Sequence, residues 1–182
     1  EFTMWLGASA VTGSTVVGIN PTRRGAELER DIDYTQCQVL VTDASMKPLL
    51  DGLDLGAAAT QVWVTDDPSY EKLLDPHLGA ALPSAIECPV RPEDQFLLVF
   101  TSGTSGAPKA VITSHQRLMF VCTSMNYLVG LVPEDIAYIA MPLFHSNALF
   151  TAWAPSIAAG SAVALRRKFS ATEFLTDVRR YG

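Results

Sequence analysis

The sequence predicts an α/β fold, a layered α-β-α arrangement built around a sheet of mainly parallel strands. Short β-branched runs alternate with helical stretches along the 182 residues, and this alternation is typical of α/β layers. Some runs are almost continuously apolar, such as Phe-Leu-Leu-Val-Phe at 96–100, as expected of strands that are covered on both faces. Hydrophobic residues make up 48% of the chain, which is enough for a substantial core.

Six segments are predicted to be strands: 14–20, 38–42, 61–65, 95–100, 136–140 and 161–165. A helix is predicted over 24–36, and Ser114 and Ser170 are each expected to cap a further helix. The stretch 66–91 contains four prolines and is predicted to be an irregular connection. Both ends look cut, so residues 1–182 are expected to form part of one domain that is truncated at both ends.

Composition excludes several classes of protein. The net charge of -6 argues against a nucleic-acid partner, which would require a basic face. The three cysteines are widely spaced and lack a CxxC pair, which favours a reduced, cytoplasmic protein without a zinc site. The segment 136–165 has no charged side chains before Arg166, but prolines and a glycine interrupt it, so it is interpreted as strand, loop, buried helix and strand rather than a transmembrane segment.

Residues 99–110 carry the most informative pattern, Val-Phe-Thr-Ser-Gly-Thr-Ser-Gly-Ala-Pro-Lys-Ala. Gly103 and Gly106 permit torsions that other residues avoid and allow close approach to a ligand. Lys109 adds a compact positive charge suited to departing pyrophosphate, and successive backbone N–H groups can form an anion-binding concavity. Four hydroxyl groups could donate to phosphate oxygens: Thr101, Ser102, Thr104 and Ser105.

This pattern is neither a Walker A loop nor GxGxxG. A Ser/Gly-rich surface loop without function is the simplest alternative, but the apolar strand before the loop and the lysine after it favour a phosphate site. The run from Thr101 to Lys109 resembles the signature of the adenylate-forming superfamily, which includes acyl-CoA synthetases, luciferases and peptide-synthetase adenylation domains. Ser105 stands where threonine is more usual and Ala110 where glycine is; neither change removes a phosphate ligand.

A second motif, Met-Pro-Leu-Phe-His-Ser-Asn at 141–147, follows a predicted strand. His145 lies at a strand-to-helix turn, where α/β folds present ligands, although a lone histidine there is often a structural cap. Pro-Leu-Phe-His resembles the second superfamily motif. The resemblance implies that Phe144 and His145 bind the acyl substrate, with His145 a candidate catalytic residue that orients the carboxylate or gates its entry. A general base is not required, because a carboxylate is already ionised at pH 7.

The stretch 16–28 also resembles this superfamily, especially its fatty acyl-CoA ligases, and is interpreted as scaffolding. The resemblance therefore implies that residues 1–182 are part of the large N-terminal, AMP-binding domain of an acyl-CoA synthetase, without the C-terminal lid domain. Its substrates would be ATP, a fatty or similar lipid-like acid and CoA, with Mg²⁺ held by ligands outside these residues. Two alternatives remain: a peptide-synthetase adenylation domain, and a non-catalytic nucleotide-binding module. An incomplete domain would also expose core-facing surface, so self-association is expected.

The resemblance further implies that the chain alone is inactive. The family's adenine and ribose motifs, magnesium-binding glutamate, hinge and C-terminal lysine have no match in these 182 residues. We therefore expect no ATP–pyrophosphate exchange from a 182-residue preparation supplied with fatty acids and Mg²⁺. Exchange above a no-enzyme control would contradict this expectation.

Overall fold

The computed structural model describes residues 1–82, 89–101 and 109–181. The chain divides into two compact units. The first unit comprises Glu1 and Ile19–Cys88, and the second comprises Phe2–Gly18 and Pro89–Gly182.

Helices and strands alternate along the described residues, as the sequence predicts. The helices are α1 (Phe2–Thr12), α2 (Gly25–Thr35), α3 (Pro68–Leu74), α4 (His115–Val129), α5 (Ser146–Ala148), α6 (Ala154–Ala159) and α7 (Phe174–Tyr181). The strands are β1 (Val16–Gly18), β2 (Leu40–Thr42), β3 (Val62–Val64), β4 (Gln95–Thr101), β5 (Lys109–Ser114), β6 (Ile136–Ile139) and β7 (Ala162–Leu165). Short 3₁₀ helices cover Lys47–Leu50, Gly56–Thr60 and Asp75–His77, and a π-helical segment covers Leu149–Trp153.

The first unit is organised around one helix and a pair of strands. β2 and β3 run parallel, with Leu40 opposite Val62. Leu28 and Ile32 lie four residues apart on α2, so they share a face, and both are buried with Leu40 in one apolar cluster. The predicted helix and both predicted strands of this unit are therefore confirmed.

The prediction of an irregular connection over 66–91 is wrong in its first part, where α3 forms. Asp67 caps this helix, its carboxylate accepting a hydrogen bond from the Ser69 N–H at 2.8 Å. Pro68 occupies a first-turn position, where its missing N–H is not needed. The hydrogen bonds from Ser69 also hold the pKa of Asp67 below its ordinary value. The proline begins a helix here instead of breaking one.

The second unit contains a three-stranded sheet in the order β1-β4-β5. β1 pairs parallel with β4, and β5 pairs antiparallel with it. A separate pair, β6 and β7, is parallel. Three of the four strand pairings among the described residues are thus parallel, in keeping with the predicted sheet. β5 and its antiparallel pairing are absent from the sequence prediction.

The core of the second unit surrounds β4. Phe96 and Leu97 are 2% and 1% exposed, and they cluster with Leu6 of α1 and Leu149. This burial on both sides explains the continuous apolar run that predicts the strand. The charge-free segment 136–165 forms strand, turn, helix and strand, as interpreted from sequence. Over the described ranges, every helix is too short or too polar to cross a lipid bilayer.

The last helix, α7, is held in place by the contacts of one buried carboxylate, that of Asp177. Asp177 of α7 is buried; its carboxylate accepts a hydrogen bond from the Tyr138 hydroxyl at 2.9 Å and lies 2.8 Å from the Arg166 Nε. Ser170 accepts a hydrogen bond from the Glu173 N–H at 3.3 Å, as expected of its predicted capping role. α7 is therefore tied to β6 through Tyr138 and to the residue that follows β7, Arg166.

The first unit contains a buried ion pair. The Asp31 side chain is fully buried on α2, and its carboxylate lies 3.2 Å from the Arg23 Nε. Burial raises the pKa of Asp31 above its ordinary value of 3.8, while Arg23 partly opposes this shift. The folded chain therefore binds a proton at Asp31 more readily than the unfolded chain does.

This raised pKa predicts a pH dependence of stability. As the pH falls from 7 towards 3.8, protonation of Asp31 should stabilise the folded chain relative to an Asp31→Asn variant, which cannot take up that proton. The difference between the two free energies of unfolding, measured with denaturant at several pH values, should therefore move in favour of the wild type on acidification. Asp33→Asn, on the exposed side of the same helix, is the matched control. A difference that is constant, or that moves the other way, would contradict the assignment.

Candidate functional site

The two described ends of the predicted phosphate loop face each other across a pair of strands. Thr101 ends β4, Lys109 begins β5, and the two residues are direct partners in the antiparallel ladder. The Thr101 hydroxyl donates to the Lys109 carbonyl at 3.3 Å. We call this pair the loop mouth, because residues 102–108 connect its two sides.

Five of the predicted phosphate ligands lie outside the described residues, and their role stays a prediction: Ser102, Gly103, Thr104, Ser105 and Gly106. Lys109 is exposed, and among the described residues no carboxylate forms an ion pair with it. Its ammonium group is therefore not committed to a structural partner there. Thr101 would have to exchange its present hydrogen bond before its hydroxyl could donate to a phosphate.

The second motif forms a tight turn after β6. The His145 N–H donates to the Pro142 carbonyl at 3.0 Å, which closes a four-residue turn. His145 then occupies the position before α5, but its side chain makes no capping hydrogen bond. The alternative interpretation of His145 as a side-chain cap is therefore not supported.

The Phe144 and His145 rings lie together in this turn. Their centroids are 4.3 Å apart, and the ring planes are inclined by 38°. Phe144 is half-buried, whereas His145 is exposed. The pair thus presents an apolar surface beside a group that can donate or accept hydrogen bonds. We call residues 142–145 the Phe-His turn.

The π-helical segment Leu149–Trp153 anchors the chain just after the Phe-His turn. Leu149 is 1% exposed, and its N–H donates to the His145 carbonyl at 3.4 Å. Single π-helical turns within helices occur frequently at functional sites. This segment connects the turn directly to the core of the second unit.

Gly18 brings the Phe-His turn to the sheet. A Cβ atom placed on Gly18 would lie 3.2 Å from both the Cα and the Cβ of Phe144. Gly18 is also the partner of Val99 in the β1–β4 ladder, and Val99 precedes Thr101 by two residues. Neighbouring strands are about 4.8 Å apart and two residues extend about 6.6 Å. The turn packs against Gly18 at the end of β1, and the loop mouth begins at Thr101 at the end of β4, so both lie near the carboxyl ends of these two parallel strands.

Sequence reasoning missed this connection and the strand β5. The sequence does contain a signal for the contact between Gly18 and Phe144, because a glycine within an apolar strand pattern often marks close approach of another backbone. The partner of that approach could not be named from sequence, since it belongs to a distant segment.

Acidic and metal-binding groups do not converge on this site in the part of the chain that the structure describes. There, no three His, Cys, Asp or Glu side chains lie close enough together to hold a metal ion. The expectation that Mg²⁺ is bound by residues outside this chain remains a prediction.

Solved structures share this fold. The N-terminal domain of FACL13 from Mycobacterium tuberculosis, crystallised with an inhibitor, superposes with a TM-score of 0.82 at 24% identity, covering 97% of this chain and 44% of that one. ATP-bound MatB from Rhodopseudomonas palustris gives a TM-score of 0.78 at 22% identity, covering 97% and 35%. These likenesses confirm the predicted fold class.

Sequence comparisons extend over the whole chain. A steroid-22-oyl-CoA synthetase of Rhodococcus jostii is 49% identical over 183 aligned residues, covering 100% of this chain and 32% of that protein. A medium/long-chain-fatty-acid–CoA ligase, FadD17, of Mycobacterium marinum is 41% identical, covering 100% and 34%. The chain spans about a third of the length of these relatives. The family described as AMP-binding enzyme matches residues 1–182, and the chain belongs to that family.

Proposed function

We propose that the protein containing this chain is an acyl-CoA synthetase that activates a fatty or similar lipid-like carboxylic acid. One observation carries the proposal: the loop mouth and the Phe-His turn lie near the carboxyl ends of the adjacent strands β4 and β1, linked by the contact of Gly18 with Phe144 and its pairing with Val99. A polyphosphate site beside an acid site is the arrangement that adenylation requires. The names of the two relatives, a CoA synthetase and a CoA ligase, support it.

The reaction has two steps. A carboxylate oxygen attacks the α-phosphorus of ATP, and the bond to pyrophosphate breaks, which leaves an acyl-adenylate. The CoA thiol loses its proton to solvent, the resulting thiolate attacks the acyl carbon, and AMP departs with the bonding electron pair. Neither step needs a protein nucleophile. The chain's task is therefore to position the substrates and stabilise developing charge.

Lys109 and the hydroxyl and backbone groups of 101–106 would hold the β- and γ-phosphates. Hydrogen bonds to charged groups contribute roughly 1.5–3 kcal/mol each, so several of them can bind pyrophosphate firmly as its charge grows. Mg²⁺, bound elsewhere in the protein, would neutralise part of the same charge. Lys109 begins β5, so its backbone position is set by the sheet.

The Phe-His turn would hold the acid. Phe144 supplies apolar contact for the acyl group, and the exposed imidazole of His145 can orient the carboxylate or gate its entry. A lipid-like acid fits the names of the relatives, one of which refers to a steroid and the other to medium and long chains.

Two other assignments are weaker. A carrier-protein domain in the same gene would favour a peptide-synthetase adenylation domain. A native protein with a mass close to the 19.7 kDa of this chain would favour a non-catalytic nucleotide-binding module. The relatives are about three times longer than the chain, which favours the enzyme.

The state of the cysteines bears on the cellular compartment of the protein. Cys37 and Cys122 are both free, which supports a reducing compartment such as the cytoplasm.

Three α4 side chains are largely exposed: Phe120, Tyr127 and Leu128 at 71%, 90% and 74%. An apolar surface of this kind supports self-association of the isolated 182 residues.

Lys109→Ala in the full-length enzyme should lower the rate of ATP–pyrophosphate exchange by about tenfold or more, because one charge-assisted contact to the phosphates is lost. Lys168→Ala, which removes another exposed lysine of the same unit, is the matched control. Exchange at the wild-type rate in Lys109→Ala would overturn the role assigned to this lysine.

His145→Ala and Phe144→Ala should each raise the KM for the carboxylic acid by roughly two- to tenfold, the value of one hydrogen bond or apolar contact. The KM for ATP should stay unchanged, since the turn is proposed to contact the acid alone. His77→Ala, at an exposed position in the other unit, controls for loss of a histidine. Equal changes in both KM values, or none, would show that the turn is not the acid site.

A further inference from the structure

We propose that Gly18 is a positioning residue for the acid site: its missing side chain sets how closely the Phe-His turn can approach the sheet. The inference rests on the proposed function of Phe144 and His145. It assigns Gly18 no contact with substrate, and it gives the third residue of β1 a role in acid binding beyond scaffolding.

Position 18 requires glycine because a larger side chain would not fit there, not because of its backbone conformation. Gly18 lies in β1, and its backbone is not among those of the described glycines that adopt a positive φ, so any residue could take up its conformation. A Cβ there would meet the Cα and Cβ of Phe144 at 3.2 Å and its carbonyl oxygen at 3.5 Å. Ordinary carbon–carbon contacts lie at about 3.5–4.0 Å. An alanine would therefore push against the main chain of the Phe-His turn.

The strand cannot move away to make room. Gly18 is buried and pairs with Val99, which is 3% exposed in the core. Val16, two residues earlier, packs against the same cluster. Close-packed cores resist displacement, so the strain falls on the turn.

The displacement would reach both acid-site residues. Phe144 carries the contacted backbone atoms, and its ring lies 4.3 Å from that of His145. The shift needed is a few tenths of an ångström, which is small for folding but significant for the orientation of a bound carboxylate.

A substitution at Gly18 should not move the loop mouth, Thr101 and Lys109. Thr101 and Lys109 are held opposite each other by the β4–β5 ladder, which extends from them to Ser114. This ladder lies on the other side of β4 from β1. A change at Gly18 should therefore affect binding of the acid and leave binding of ATP unchanged.

The test is Gly18→Ala in the full-length enzyme, with Gly7→Ala as the matched control. Gly7 also lacks a positive φ, and a Cβ there would meet nothing within 4 Å. In ATP–pyrophosphate exchange, Gly18→Ala should raise the KM for a fatty acid by about three- to tenfold, as expected for a sub-ångström misplacement. The KM for ATP should stay within about twofold of wild type on the same argument, and Gly7→Ala should change neither. An unchanged KM for the acid, or equal rises in both, would overturn the proposal.

The single variants separate this inference from the proposed function. If Phe144→Ala and His145→Ala raise the acid KM but Gly18→Ala does not, only the role of Gly18 fails. If none of the three alters the acid KM, the acid site itself is elsewhere and both proposals fail.

Partial unfolding of Gly18→Ala would lower kcat but not KM, because KM does not depend on the amount of active enzyme. If no folded Gly18→Ala enzyme is obtained, Pro142→Gly provides the second test. It loosens the same turn from its exposed side without a clash. It should also raise the acid KM alone, and an unchanged acid KM would overturn the inference that turn position controls acid binding.

Discussion

Burial of β4 is the interaction on which the rest of the second unit depends. Four consecutive side chains, from Phe96 to Val99, are between 1% and 9% exposed. Full burial of such a side chain stabilises a fold by roughly 1.5–3 kcal/mol relative to exposure. β4 also pairs on both edges, with β1 on one side and β5 on the other. Both halves of the candidate site are attached to these neighbours: the Phe-His turn packs on Gly18 of β1, and Lys109 begins β5. The apolar strand fixes where the polar chemistry can occur.

Much of this arrangement could be predicted from sequence, because the signals are local. The apolar run at 96–100 identifies β4, and the glycines, hydroxyls and lysine after it identify a candidate phosphate loop. The motif at 141–147 identifies a strand-to-helix turn that carries a histidine. β5 was harder, because Lys-Ala-Val-Ile-Thr-Ser follows the loop directly and, of its three consecutive β-branched residues, only Thr113 is buried, so no apolar core face marks the strand. The start of α3 was misjudged because proline both ends helices and begins them, and only the Asp67 cap decides between the two. The approach of Phe144 to Gly18 joins distant segments, which no local pattern encodes.

In the second unit, the Cys122 thiol is unsuited to act as a nucleophile. Burial raises the pKa of the Cys122 thiol to about 11, so at neutral pH it is protonated and a poor nucleophile. Cys122 lies on the buried side of α4 and contributes to packing. The proposed mechanism needs no protein thiol, since CoA supplies its own. In the first unit, Arg23 forms ion pairs with both Asp31 and Glu27, a structural use of its charge that is in keeping with the interpretation of residues 16–28 as scaffolding.

The cross-strand pairing of Thr101 with Lys109 has a consequence for how such a loop can evolve. The ladder already holds the two ends of the connection side by side, so the entropy of closing it varies slowly with its length, by only about 0.6 kcal/mol for each doubling. Changes in the length of the run 102–108 should therefore cost the fold little, so the constraint on this run comes from the phosphate groups that it is proposed to bind and not from the stability of β4 and β5.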